Sequence, residues 1–157
     1  MTDYSRAIAQ LRAFPAQLEA LVRPLDTATL LATPLRGEWS VAQNVHHLAD
    51  SHLHSYMRCK RIATEEYPTI HPYDQDVWAG MSDASMADID GSLQLLHGLH
   101  TRWAHFFSGL ATSDWRRAGF HPEVGEITLE MLLDMYVIHG NGHLDQITRT
   151  ITAQNNA

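Results

Sequence analysis

Apolar residues recur along the chain in four stretches at spacings of three and four, the period of helices that turn one face to a core. In Tyr4–Arg23 the stripe is Ile8, Leu11, Phe14, Leu18 and Leu21. Pro15 interrupts it and predicts a kink or a reset start, and Pro24 ends it. Asp26 then caps a short turn through Leu31, and TPLRGEW follows as a loop. The second helix opens at Ser40, with Gln43 three residues on, the pattern of a capping box. It runs to about Thr64, with Val41, Val45, Leu48 and Cys59 among its apolar residues and a polar line of His47, Ser51, His54 and Arg58. The third helix has the cleanest repeat, Met86, Ile89, Leu93, Leu96, His100, Trp103, Phe107 and Leu110, with Asp83 or Ser85 as its cap. The fourth starts after Thr128, and its stripe is Leu132, Leu133, Tyr136, His139, Gly140, His143, Leu144, Ile147 and Ile151.

Two long connections separate these helices. Glu65–Ala84, between the second and third, holds two prolines and a glycine and no sustained period. A connection of that length is functional or ordered by packing, and Tyr67, Tyr73 and Trp78 predict that it folds down onto the helices. Thr112–Ile127, between the third and fourth, contains Gly119, Pro122 and Gly125 and reads as a loop able to close a short hairpin around HPEVG. Four helices without a convincing strand predict an all-α four-helix bundle. No internal repeat divides the chain, so a single domain over residues 1–157 is expected. A ferritin-like di-iron bundle would need Glu-x-x-His on two helices, and the chain has none.

Composition narrows the class further. A chain of about 150 residues buries roughly 70% of its unfolded surface, enough for a core of its own. A net charge of -7 argues against a nucleic-acid surface, which needs a basic patch. No apolar run approaches the roughly 20 residues of a membrane span, and MTDYSRAIAQ lacks a signal-peptide core. A single cysteine, Cys59, excludes an internal disulfide, so a reducing cytoplasm is the expected location.

Eleven dispersed histidines are the outlying feature. His139 and His143 occupy slots of the apolar stripe, and four residues apart on a helix their imidazoles can converge on one ion. The plainer reading is a pair of core histidines satisfied by hydrogen bonds. His46 and His47 are adjacent and point about 100° apart, so at most one of them faces a shared site. His100 reads as a hydrogen-bonded core histidine, Trp39 and Trp103 as core aromatics, and Cys59 as packing. Asp50 is either a solvated helix residue or a carboxylate that orients a ligand histidine. No Ser-His-Asp arrangement and no glycine-rich phosphate loop is readable.

A Trp-Ser pair opens helix two, a histidine stands eight positions after that Trp and precedes Leu-Ala-Asp-Ser, and the last helix carries HxxxH. With the segments RCKRIATEEYPTIHPYDQDVWA and GFHPEVGEITL, this resembles the DinB/YfiT-like family, and especially its YfiT-type metal-dependent hydrolases. The resemblance spans most of the chain. It implies a divalent metal held by three histidines in an open pocket at one end of a bundle. Position by position the ligands would be His47, which directly precedes Leu-Ala-Asp, with His139 and His143.

Three neutral imidazoles leave positions of the ion open to water or substrate, the mark of a catalytic site. Such an ion lowers the pKa of water from about 15.7 towards 7 and polarises a substrate oxygen. Imidazole suits several divalent metals, with zinc or nickel expected. Hydrolysis of a small-molecule ester or amide is the first functional expectation. The resemblance also implies a second, transfer of a low-molecular-weight thiol of the bacillithiol or mycothiol type. A non-catalytic, stress-associated metal-binding bundle is the third. The family also implies a homo-oligomer, most simply a dimer.

Overall fold

The computed structural model describes residues 4–156. Its elements in order are α1 (Ser5–Val22), α2 (Thr27–Leu31), α3 (Val41–Thr64), α4 (Gln75–Ala79), α5 (Asp90–Ser108), a 3-10 turn (Asp114–Arg116), β1 (Ala118–His121), β2 (Gly125–Thr128) and α6 (Leu129–Asn155). The four long helices form a bundle in which α1 and α3 each pack against α5 and α6. Helices α1 and α3 therefore stand on one diagonal and α5 and α6 on the other. Among the described residues no helix is long and apolar enough to cross a membrane.

Local chemistry sets the ends of the helices that carry the site. At the start of α3 the Gln43 N–H donates to Ser40 Oγ at 3.2 Å and the Ser40 N–H to Gln43 Oε1 at 3.0 Å, closing the capping box. The Gln43 amide also donates to the Ala79 carbonyl at 2.9 Å, which fastens the end of α4 to the same turn. Thr128 caps α6 by accepting the Met131 N–H. Helix α5 begins at Asp90, one turn later than the apolar period predicts. Turn chemistry wins there: the Ser85 hydroxyl donates to the Met81 carbonyl, the Asp88 carboxylate accepts the Asp90 N–H, and Met86 stays exposed. Helix α1 runs unbroken through Pro15, so no reset of its start occurs. The proline has no N–H to return to the Leu11 carbonyl, four residues earlier.

The core falls into two apolar clusters. One holds Phe14, Leu18, Val22, Val45, Leu48, Leu93, Leu96 and Ile147. The other holds Leu11, Cys59, Ile62, Trp103, Phe107, Leu132, Leu133 and Tyr136. Between them lie the buried rings of His52 and His100, which touch Phe14 of the first cluster and Trp103 of the second.

The two connections are tied to the bundle. Strands β1 and β2 pair antiparallel from Ala118↔Thr128 to His121↔Gly125. The three residues between them lead into Gly125, the first residue of β2, at φ 81°, a left-handed position that glycine supplies without strain. The hairpin lies against the earlier connection: Ile70 N–H donates to the Phe120 carbonyl at 2.7 Å and Phe120 N–H to the Pro68 carbonyl at 2.9 Å. Arg58 and Arg61 on α3 donate to the carbonyls of His71 (2.9 Å) and Thr69 (3.0 Å). Arg117 reaches the carbonyls of Ile62 (3.0 Å) and Glu65 (2.9 Å). Tyr73 packs on His54 with ring centroids 5.0 Å apart, and Trp78 on Tyr73 at 4.4 Å, whereas Tyr67 is exposed.

Candidate metal centre

Helices α3 and α6 face each other, and their inward stripes carry His47, His139 and His143. One ring nitrogen from each lies within 4.8 Å of the others. His47 Nε2 and His139 Nε2 are 3.3 Å apart. Two nitrogens bound to one tetrahedral zinc at about 2.0–2.1 Å each stand about 3.3–3.4 Å apart, so this separation fits a shared divalent ion. His47 is buried and the other two are half-buried. Trp39 walls the cluster, its ring 4.7 Å from that of His47 and stacked at 6.2 Å on that of His143. It is thus part of the site and not a plain core aromatic.

Burial keeps these imidazoles neutral. It pulls the pKa of His47 down to about 3, with the neighbouring His143 adding to the shift. His139 is likewise lowered to about 3, by burial first and then by His143 and His47. His143 falls to about 4 through burial alone. A neutral imidazole is the form that binds a metal, so at neutral pH all three are ready ligands.

The outer nitrogen of each α6 histidine is engaged. His143 Nδ1 is 2.7 Å from Asn44 Oδ1, and the Asn44 amide group donates to the Ser40 carbonyl at 2.9 Å. That second bond turns the oxygen of Asn44 towards the histidine, so Nδ1 of His143 donates and Nε2 carries the lone pair. His139 Nδ1 is 3.1 Å from His52 Nε2. Asn44 and His52 were not among the sequence-derived site residues. Asn44 extends the polar line of His47 and Ser51 one turn back, and His52 sits in the apolar series Val45, Leu48, His52, so the spacing that singled out His139 also marks both.

The remaining histidines fall elsewhere. His46 is buried with Nδ1 2.8 Å from Ser92 Oγ and Nε2 3.0 Å from the Met86 carbonyl, pointing away from the cluster. Asp50 lines a separate cavity of about 300 Å³ with His46, Asp83 and Asp88. Burial, then Asp83, raises its carboxyl pKa. The structure therefore does not bring Asp50 to the three histidines. Cys59 is fully buried and burial pushes its thiol up to about 12, as packing requires. Ser51 Oγ and the Tyr136 hydroxyl lie 3.4 Å apart, and the Tyr136 ring stands 5.2 Å from that of His139.

Comparison with known proteins places this geometry in a family. A profile of the DinB superfamily matches residues 10–147, and the chain belongs to that superfamily. Within it the chain is 45% identical over 143 residues to a Bacillus subtilis protein named "Putative metal-dependent hydrolase YfiT", covering 90% of this chain and 80% of that one. A Bacillus cereus protein of the same designation is 39% identical over 142 residues, covering 90% of this chain and 81% of the relative. The solved structure of Bacillus subtilis YfiT, described as a four-helix bundle of unusual topology, superposes with a TM-score of 0.91 at 39% identity, over 96% of this chain and 86% of that one.

Proposed function

We propose that the protein is a metal-dependent hydrolase acting on a small molecule, with one divalent ion per chain held by His47, His139 and His143. The observation that carries this is the convergence of three neutral imidazole nitrogens, two of them 3.3 Å apart, in a half-buried cluster. Its relatives' designation supports the same class. A divalent ion there supplies a Lewis acid that lowers the pKa of water and polarises a substrate oxygen. The chain's own residues do the rest. Trp39 closes one side of the cluster, Asn44 and His52 hold the outer nitrogens of His143 and His139, and the hydroxyls of Ser51 and Tyr136 offer donors to a substrate oxygen beside His139. Zinc or nickel is the metal we favour, since imidazole suits both. We favour a homodimer as the assembly.

The test begins with element analysis of the purified protein. Turnover of an ester and amide panel, with and without chelator, follows beside a panel pairing small thiols with electrophiles. Chelator-sensitive hydrolysis supports the proposal. Chelator-sensitive thiol transfer without hydrolysis replaces it with a thiol transferase, and bound metal without turnover replaces it with a metal-binding bundle.

A further inference from the structure

Four groups, one from each long helix, form a continuous hydrogen-bonded file across the bundle. His100 Nδ1 on α5 lies 2.5 Å from the Leu11 carbonyl on α1. His100 Nε2 lies 2.7 Å from His52 Nδ1 on α3. His52 Nε2 lies 3.1 Å from His139 Nδ1 on α6. His52 and His100 are completely enclosed, at 0% and 1% exposure. The file ends where His139 Nε2 meets His47.

The direction of every bond follows from the first. A carbonyl oxygen only accepts, so His100 Nδ1 must carry the proton. A neutral imidazole has one N–H, which leaves His100 Nε2 as an acceptor and obliges His52 Nδ1 to donate to it. His52 Nε2 is then an acceptor, and His139 Nδ1 must donate in turn. Nε2 of His139 is left unprotonated and aimed at the cluster. Pro15 makes the terminus available, because it has no N–H to give the Leu11 carbonyl.

We propose that His52 and His100 are positioning residues that lock His139 in its Nδ1–H tautomer and fix its ring plane, so that Nε2 is presented to the ion before it arrives. This rests on the reading of His139 as a ligand. The file is not a proton channel. Its far end is an amide oxygen, which cannot take up a proton, and both inner rings are sealed from water. Phe14 holds the two rings in place, its centroid 5.2 Å from His52 and 5.3 Å from His100.

The first experiment needs no metal. A long-range 1H–15N correlation spectrum of the histidine rings in the apo protein at neutral pH reads each tautomer directly. The file requires Nδ1–H at His100, His52 and His139, and an Nε2–H tautomer at His139 overturns it. The second is a competition titration with a zinc chelator on folded His52→Leu and His52→Gln, each checked by circular dichroism. Loss of an outer partner of a ligand histidine costs about 10–100-fold in metal affinity. His52→Leu, which offers no acceptor to His139, should show that loss. His52→Gln, whose side-chain oxygen can accept from Nδ1, should recover most of it. Equal affinity of His52→Leu and the native protein overturns the proposal. If the native protein binds no divalent ion, the functional reading fails, and the ring spectrum still decides whether the file sets the tautomer.

Discussion

Gly140 and Gly142 lie two residues apart in α6 and should respond to alanine with opposite signs. A Cβ on Gly140 would stand 2.8 Å from Phe14 Cε2 and 2.9 Å from Phe14 Cδ2, whereas one on Gly142 would meet nothing within 4 Å. Ordinary carbon contacts need about 3.5–4.0 Å, so the Phe14 ring or the helix must retreat by roughly 0.7 Å or more. The ring has little room, being 4% exposed and flanked by His52 and His100. Overpacking of this kind costs about 1–3 kcal/mol, and removing a helical glycine returns about 0.8–1.0 kcal/mol. Gly140→Ala should therefore be destabilised by about 1 kcal/mol, and Gly142→Ala stabilised by about 0.4–1 kcal/mol. In a chain of this length one kcal/mol moves Tm by about 2–4 °C, so the two melts should separate by several degrees. Thermal and urea melts of the apo proteins measure it. Coincident melts, or a higher Tm for Gly140→Ala, would refute the close approach of α6 to α1.

Acid should destabilise the apo protein. His47 and His139 are lowered to about 3 and His100 and His143 to about 4, so below the unfolded value of about 6.5 the unfolded chain binds the protons. Their stabilising contribution is complete above about pH 6.5 and falls as pH drops towards 4, by up to about 1.4 kcal/mol per histidine per pH unit; a urea midpoint unchanged from about pH 7 to 5 would contradict it. Each of His47→Ala, His139→Ala and His143→Ala should lose most bound metal and turnover while keeping its helical circular dichroism, because the two apolar clusters stand without the ion. Collapse of the helical signal on chelation would make the site structural. Cys59 should ignore thiol reagents in the native protein and react only on unfolding, since it is fully enclosed with its thiol held near 12; rapid native labelling would disprove that.

What the sequence made legible was whatever one helix could display by itself. The capping box at Ser40 and Gln43, the Thr128 cap and the His139–His143 pair are local patterns, and the structure carries all of them. The apolar period places the start of α5 a turn too early, because Ser85 and Asp88 make turn bonds that override it. Trp39 read as core because an aromatic beside a helix start looks the same whether it faces leucines or imidazoles. His52 and Asn44 escaped because their roles depend on partners 48 to 99 residues away. The Leu11 carbonyl belongs to no side chain, so no residue type could announce it.

The three arginines that grip the long connection have a consequence for how the native protein meets proteases. An irregular segment between helices is ordinarily where a chain is nicked, because a protease must draw several residues into an extended strand. Here the carbonyls of Ile62, Glu65, Thr69 and His71 are held by Arg117, Arg61 and Arg58, and residues 68–70 are pinned to the hairpin. Trypsin has no site within the connection, since no Lys or Arg stands between Arg61 and Arg102, so a protease of broad specificity such as proteinase K is the probe. Digestion should therefore spare the connection while the bundle is folded, and the pattern of cuts becomes a report on whether those arginines have let go.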